Sequence, residues 1–175
     1  MIKLSTLSNL PDVDVPGIYA LVNNETGKMY IGQSAKLGKR AYTHSRLIKN
    51  GKHSNKNLES DLKKYDCFSF TILELIDNKK DLEIREMQTI RYFLLNGQEL
   101  YNCDTIESIE KNIRTRKRWE IYESLISKKK YKGVKYTYWK FVTFPESRQE
   151  KIICKLLNCQ PKDIMEYIPN ETHER

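Results

Sequence analysis

The chain has 175 residues, 39% hydrophobic and 31% charged, and a net charge of +8 at pH 7. This composition supports one or two packed domains and excludes collagen-like, disordered and disulfide-scaffold classes. The four cysteines, at 67, 103, 154 and 159, form no C-x-x-C pair, and no apolar run suits a membrane span or secretory leader, so a reducing, cytoplasmic setting is expected.

Charge is unevenly placed along the chain. Residues 1–27 carry −2, 28–64 carry +8, 65–110 carry −6, 111–140 carry +9 and 141–175 carry −1. Two basic blocks separated by an acidic one offer two contact surfaces for a polyanion, the alternative being two solvated faces.

Residues 1–15, with Pro11 and then Pro16, read as a lead-in to a strand. Ile18 to Val22 and Met29 to Ile31 are β-favouring runs flanking Asn23-Asn24-Glu25-Thr26-Gly27, which predicts a β-hairpin. Leu37, Ala41, His44, Leu47 and Ile48 recur at helical spacing and stop at Asn50-Gly51, predicting an amphipathic helix over 35–50. Leu58, Leu62 and Tyr65 make a second, shorter helical stripe, and Phe68 to Ile76 reads as a buried strand. Leu82, Met87, Ile90 and Phe93/Leu94 mark a third helix, which ends at Asn96-Gly97. The expected architecture is α+β: a small antiparallel three-stranded sheet flanked by helices over 1–103.

Composition changes beyond Asn102, and 104–175 is expected to be a mostly helical, basic and aromatic-rich extension that binds DNA. Arg114, Arg116, Lys117, Arg118, Lys128, Lys129 and Lys130 cluster near Trp119, Tyr136, Tyr138 and Trp139. Cations contact phosphate and exposed aromatics stack on or wedge between bases; some of these rings must instead form a small core. Residues 149–168 resemble a helix-turn-helix, with Cys154 at the small-residue position, Asn158 at the turn and Gln160-Pro161 opening the second helix. A helical hairpin that packs on the rest of the chain, or makes a homodimer contact, is the alternative. Cys154 and Cys159 read as buried thiols rather than a zinc site.

The chemistry-bearing residues lie before Cys103. The hairpin reads Gly17-Ile18-Tyr19 on one strand and Tyr30-Ile31-Gly32 on the other; Arg40 and His44 share a helix face; His53 precedes Ser54; Glu86 lies four before Ile90; Tyr101-Asn102 closes the unit. In this order the residues resemble the GIY-YIG nuclease family over 16 to about 103, most closely its phage and intron-associated branch. Glu86 rather than Glu83, three residues earlier on the same face, keeps the family spacing to Ile90.

The resemblance implies a catalytic set of Tyr19, Tyr30, Arg40, His44 and Glu86, supported by Gly17, Gly32, His53 and Asn102. It makes Tyr19 the candidate for activating water, while Tyr30 and His53 orient water and phosphate. A lone carboxylate such as Glu86 suits Mg²⁺, or Mn²⁺ in its place, and Arg40 can fork two phosphate oxygens. Lys39, Lys49 and Lys52 extend a phosphate-binding surface. The function implied is a metal-dependent, site-specific endonuclease acting on double-stranded DNA, of homing type. A type II restriction enzyme, a structure-specific repair nuclease and a non-catalytic DNA-binding regulator are the alternatives.

Overall fold

The computed structural model describes residues 6–8, 14–128 and 135–159. The chain divides into two compact units, Met1–Ile109 and Glu110–Arg175.

The first unit is built on the expected hairpin. Strand β2 (Gly17–Asn23) pairs antiparallel with β3 (Met29–Ser34), placing Tyr19 opposite Gly32 and Leu21 opposite Tyr30. The turn closes because the Asn23 side chain accepts from the backbone N–H of Glu25 (3.0 Å) and Thr26 (3.3 Å), the local bonding that favours Asn at turns. Helices α1 (Leu37–Lys49) and α2 (Lys56–Leu62) follow, then β4 (Cys67–Leu75), which pairs antiparallel with β2. One strand was not expected: β1 (Thr6–Ser8), from the lead-in, pairs parallel with β4, so the order is β1-β4-β2-β3. Its three residues are too few to establish a strand period; pairing with β4 defines it.

Side chains alternate across a sheet, so Tyr19, Leu21, Phe68 and Phe70 share a face. They pack with Leu37, Ala41 and Ile48 of α1 and Leu58 and Leu62 of α2. Helix α3 (Leu82–Leu95) packs along β3 and β2. Tyr101 completes this core: its ring is fully buried, its hydroxyl donates to Asp61 Oδ2 (2.9 Å) and accepts from Asn23 Nδ2 (3.2 Å).

The second unit contains α4 (Ile106–Lys128, of which 110–128 belong to it), α5 (Tyr138–Val142) and α6 (Glu146–Leu157). Trp119, Tyr122, Phe141, Ile153 and Cys154 form its core, with Tyr136, Tyr138 and Cys159 packed against them. The aromatic run thus divides as expected between core and rim, because Trp139 remains 76% exposed. Asn158 ends α6 in the left-handed conformation (φ 56°), in keeping with a turn there; the second helix of the expected helix-turn-helix lies outside the described residues.

Replacing Tyr101 by Phe keeps the ring but strands two partly buried polar partners. Tyr101→Phe is expected to cost about 1–2 kcal/mol, read as a lower urea midpoint at unchanged m-value.

Candidate active site

Helix α1 carries its apolar residues into the sheet and holds Arg40 and His44, one turn apart, on the flank that meets Tyr19. Arg40 Nε donates to Tyr19 Oη (2.9 Å), and His44 Nε2 lies 2.8 Å from the same oxygen. His53 Nε2 is 3.3 Å from His44 Nδ1, the two rings being 18° from parallel. Tyr30 stands edge-on to His53, with ring centroids 5.5 Å apart. Behind the cluster, Tyr19 stacks on Phe70 with centroids 4.7 Å apart, which anchors the phenol in the core.

Gly32 is required by this arrangement. A Cβ there would lie 2.5 Å from Tyr19 Oη and 3.1 Å from Tyr30 Cε1. The Tyr19 ring therefore occupies the space that any side chain at 32 would need. Gly17 is similarly closed in, by the Glu74 backbone carbonyl and by Leu37.

Strand β3 is a sheet edge, and the polar groups along that edge are taken up in sequence. Met29 bonds through its backbone to Glu99 and Tyr101 (3.1 and 2.7 Å). The Asn102 side chain then accepts from Ile31 N–H (2.9 Å) and donates to Ile31 C=O (3.0 Å), acting as a one-residue strand. At Gln33 the partner is Glu86 of α3, which accepts from Gln33 Nε2 (3.1 Å) and from the Gln33 backbone. Glu86 is thus seated at the end of the edge strand that carries Tyr30 and Gly32. Its charge acts on Tyr19, Tyr30 and Arg40.

Burial sets the electrostatics. It pushes the Tyr19 phenol up to about 12, against the hydrogen bond and charge of Arg40. It drives His44 down to about 3, aided by Arg40 and His53, and lowers His53 as well, so both imidazoles are neutral at pH 7. Burial also raises Glu86, opposed by the bonds from Gln33.

Of the nine expected residues Tyr19, Tyr30, Gly32, Arg40, His44 and His53 come together, Glu86 and Asn102 bond to the edge strand β3, and Gly17 lies on β2 against Glu74 and Leu37. Two contributors were not anticipated. Gln33 leaves no mark in the sequence, since its contact with Glu86 joins β3 to α3. Asn55 accepts from Leu58 N–H (3.0 Å) as the cap of α2, donates to the Tyr101 carbonyl (2.8 Å), and sends its own N–H to His53 Nδ1 (3.0 Å). Its capping position just before a helical stripe was a readable signal.

The basic residues fare differently. Lys39, Lys49 and Lys52 are exposed, and Arg114 and Lys117 are half-buried. Arg116 bonds Glu120 (3.3 Å) and lies over the Tyr138 ring. Arg118 is a correction: expected on a phosphate-binding face, it is 4% exposed and held by Glu146 (3.4 Å) and Glu150 (3.0 Å). The i, i+4 spacing of these two glutamates on α6 makes a carboxylate clamp that draws the guanidinium inward. Lys128 closes α4, and Lys129 and Lys130 lie outside the described residues.

Residues 15–99 match the family model of the GIY-YIG catalytic domain. Over these residues the chain carries a GIY-YIG domain. Among solved structures it is similar to the catalytic domain of the homing endonuclease I-TevI, at 27% identity and a TM-score of 0.46, over 51% of this chain and 99% of that one. It is also similar to a mutant form of the catalytic domain of intron endonuclease I-TevI, at 31% identity and a TM-score of 0.45, over 51% of this chain and 93% of that one. No curated protein matches the chain. No helix among the described residues is long and apolar enough to cross a membrane.

The GIY-YIG cluster tests poorly as a closed metal cage, since no group of three or more His, Cys, Asp or Glu converges among the described residues. Its half-buried carboxylate, Glu86, instead fits a hard dication that keeps most of its ligands as water and phosphate oxygens. Such an ion would also offset the cost of burying the carboxylate charge.

Neutral imidazoles in the fold make the unfolded chain bind more protons in acid. Their contribution to stability is complete above pH 6.5 and lost as pH falls from there toward about 3. Urea unfolding at pH 7.5 and pH 5 is expected to show a loss of roughly 1–2 kcal/mol at the lower pH. His44→Gln, which has no such group to charge, is expected to flatten that difference.

Proposed function

We propose that the chain is a metal-dependent endonuclease that hydrolyses double-stranded DNA at specific sites, in the manner of a homing enzyme. The observation that supports this most is the joining of Tyr19, Arg40 and His44 into one hydrogen-bonded cluster, with Glu86 bonded to Gln33 on the strand that carries Tyr30 and Gly32. Hydrolysing a phosphodiester needs positive charge for the phosphoryl oxygens, a group to orient and deprotonate water, and a seat for a dication.

In this reading Arg40 presents its guanidinium to the phosphate while its Nε holds Tyr19, and so couples substrate charge to the phenol. Tyr19 first releases its own phenol proton to a base from the solvent, and as the phenolate it takes the proton of the attacking water. Tyr30, which stands edge-on to His53, walls the position in which water and phosphate meet. Glu86 would hold Mg²⁺, or Mn²⁺, which when bound would supply Lewis-acid stabilisation of charge developing at the phosphate. The products are 5′-phosphate and 3′-hydroxyl ends. Arg40→Ala and Glu86→Ala are each expected to lower plasmid cleavage in Mg²⁺ by at least about 10²-fold. Binding to the same DNA should stay within a few-fold, since affinity is spread over many phosphate contacts. Equal cleavage by Glu86→Ala would overturn the reading, and binding without cleavage in any metal would favour the regulator.

Site specificity is assigned to the second unit. Residues 110–175 hold sixteen Lys and Arg against nine Asp and Glu, a net +7, whereas 1–109 hold fifteen against fourteen. On this basic unit Trp139 projects an almost bare indole, flanked in sequence by Lys135 and Lys140. An exposed Trp among cations suits stacking on, or wedging between, bases. Because the ring contributes little to the core, Trp139→Ala should fold normally and lose about 1–3 kcal/mol of DNA affinity. Lys135→Glu with Lys140→Glu should make the slope of log K against log[salt] shallower, by about one for each phosphate that is no longer neutralised. A selection of cleaved sites from a random DNA pool separates a long, tolerant homing-type site from the short strict site of a restriction enzyme.

A further inference from the structure

What His44 can do for Tyr19 depends on which ring nitrogens carry hydrogen, and the chain of hydrogen bonds behind the pair decides it. The backbone N–H of Asn55 meets His53 Nδ1 at 3.0 Å. An amide nitrogen only donates, so Nδ1 keeps its lone pair and a neutral His53 carries its hydrogen on Nε2. That nitrogen lies 3.3 Å from His44 Nδ1. Two N–H groups cannot point at each other, so His44 Nδ1 is the acceptor and the His44 hydrogen sits on Nε2, 2.8 Å from Tyr19 Oη. Burial keeps both rings neutral, which is the condition the sequence of bonds requires.

We infer that His44 serves Tyr19 as a hydrogen-bond donor and not as its base, with the direction imposed by the Asn55 backbone amide through His53. The inference rests on the nuclease reading for its catalytic meaning, though its geometry stands apart from it. Arg40 Nε donates to the same oxygen at 2.9 Å, so Tyr19 Oη accepts twice and must aim its own proton out of the cluster. Two fixed donors stabilise a phenolate. Removal of the phenol proton by His44 would need a lone pair on Nε2, which already carries hydrogen. Tyr30 of β3 and Glu86 of α3 also act on Tyr19 through their charge. His44, His53 and Asn55 are therefore positioning residues.

Long-range ¹H–¹⁵N correlation of the imidazoles in ¹⁵N-labelled full-length protein at pH 7 tests this without reference to activity, the His44 signals being assigned by their absence in His44→Gln. Both His44 and His53 should show a neutral ring protonated at Nε2. A His44 ring protonated at Nδ1, or a charged ring, overturns the inference. Asn55→Ala keeps the amide hydrogen and should leave both tautomers unchanged. Asn55→Pro, compatible with the φ of −81° at this position, removes that hydrogen and should release His53 to mixed tautomers. Unchanged tautomers in a folded Asn55→Pro protein would show that the amide does not set the direction, and should that variant not fold, the spectrum of the unsubstituted protein still decides the polarity. In cleavage assays His44→Gln, which can place an amide N–H near Tyr19, should retain at least ten times the activity of His44→Leu. If the tautomers are as stated but Tyr19→Phe cleaves normally, the nuclease assignment of Tyr19 fails and the hydrogen-bond direction stands.

Discussion

Tyr19 crosses its hairpin partner Gly32 so closely that the phenol fills the volume a side chain would need, and the rest of the site is arranged around that crossing. Phe70 stacks beneath the ring, while Arg40 and His44 reach the oxygen from α1. A polar group buried this deeply is tolerated because its oxygen is met twice by groups that are themselves anchored. The same burial that makes the phenol reluctant to ionise makes each donor to it count for more, since charge is poorly screened there.

The edge of β3 supplies the second organising constraint. An uncovered edge would invite pairing with another chain, and here it is capped residue by residue, by Glu99 and Tyr101, then Asn102, then Glu86. The last cap is a carboxylate. One local need, satisfying the polar groups of an edge strand, thus brings an acidic group from α3 beside two tyrosines. Asn102 therefore acts at a distance from the chemistry, by fixing β3, and Gln33 by fixing Glu86.

The two units divide by charge. The first is nearly neutral as a whole, its positive residues gathered on and around α1 and its acidic ones around α3. The second carries most of the net positive charge, yet part of its basic character is structural: Arg118 is an internal strut between Glu146 and Glu150, and Arg116 is engaged by Glu120 and Tyr138. Counting cations overstates the surface open to phosphate, because an arginine beside an i, i+4 pair of glutamates is drawn inward. Among the described aromatics of this unit Trp139 is the outlier, a large ring left in water at the edge of an otherwise aromatic core.

Periodicity and turn chemistry made the hairpin, the helices of the first unit and β4 readable from residues alone, since those signals are local. The tripeptides around Tyr19 and Tyr30, with Arg40, His44, His53, Glu86 and Asn102 in order, were legible as a set through their resemblance to one family, and several of these residue types answer demands of phosphodiester hydrolysis. Other features depend on atoms brought together from distant segments. The parallel strand β1 exists by pairing with β4; Gln33 matters through α3; the burial of Arg118 depends on α6, twenty-eight residues and more along the chain. The direction of the hydrogen bonds behind Tyr19 is of this second kind. Residue identity at 44 and 53 says only that two imidazoles are present, and it takes a backbone amide at Asn55, placed by the capped start of α2, to determine which nitrogens donate.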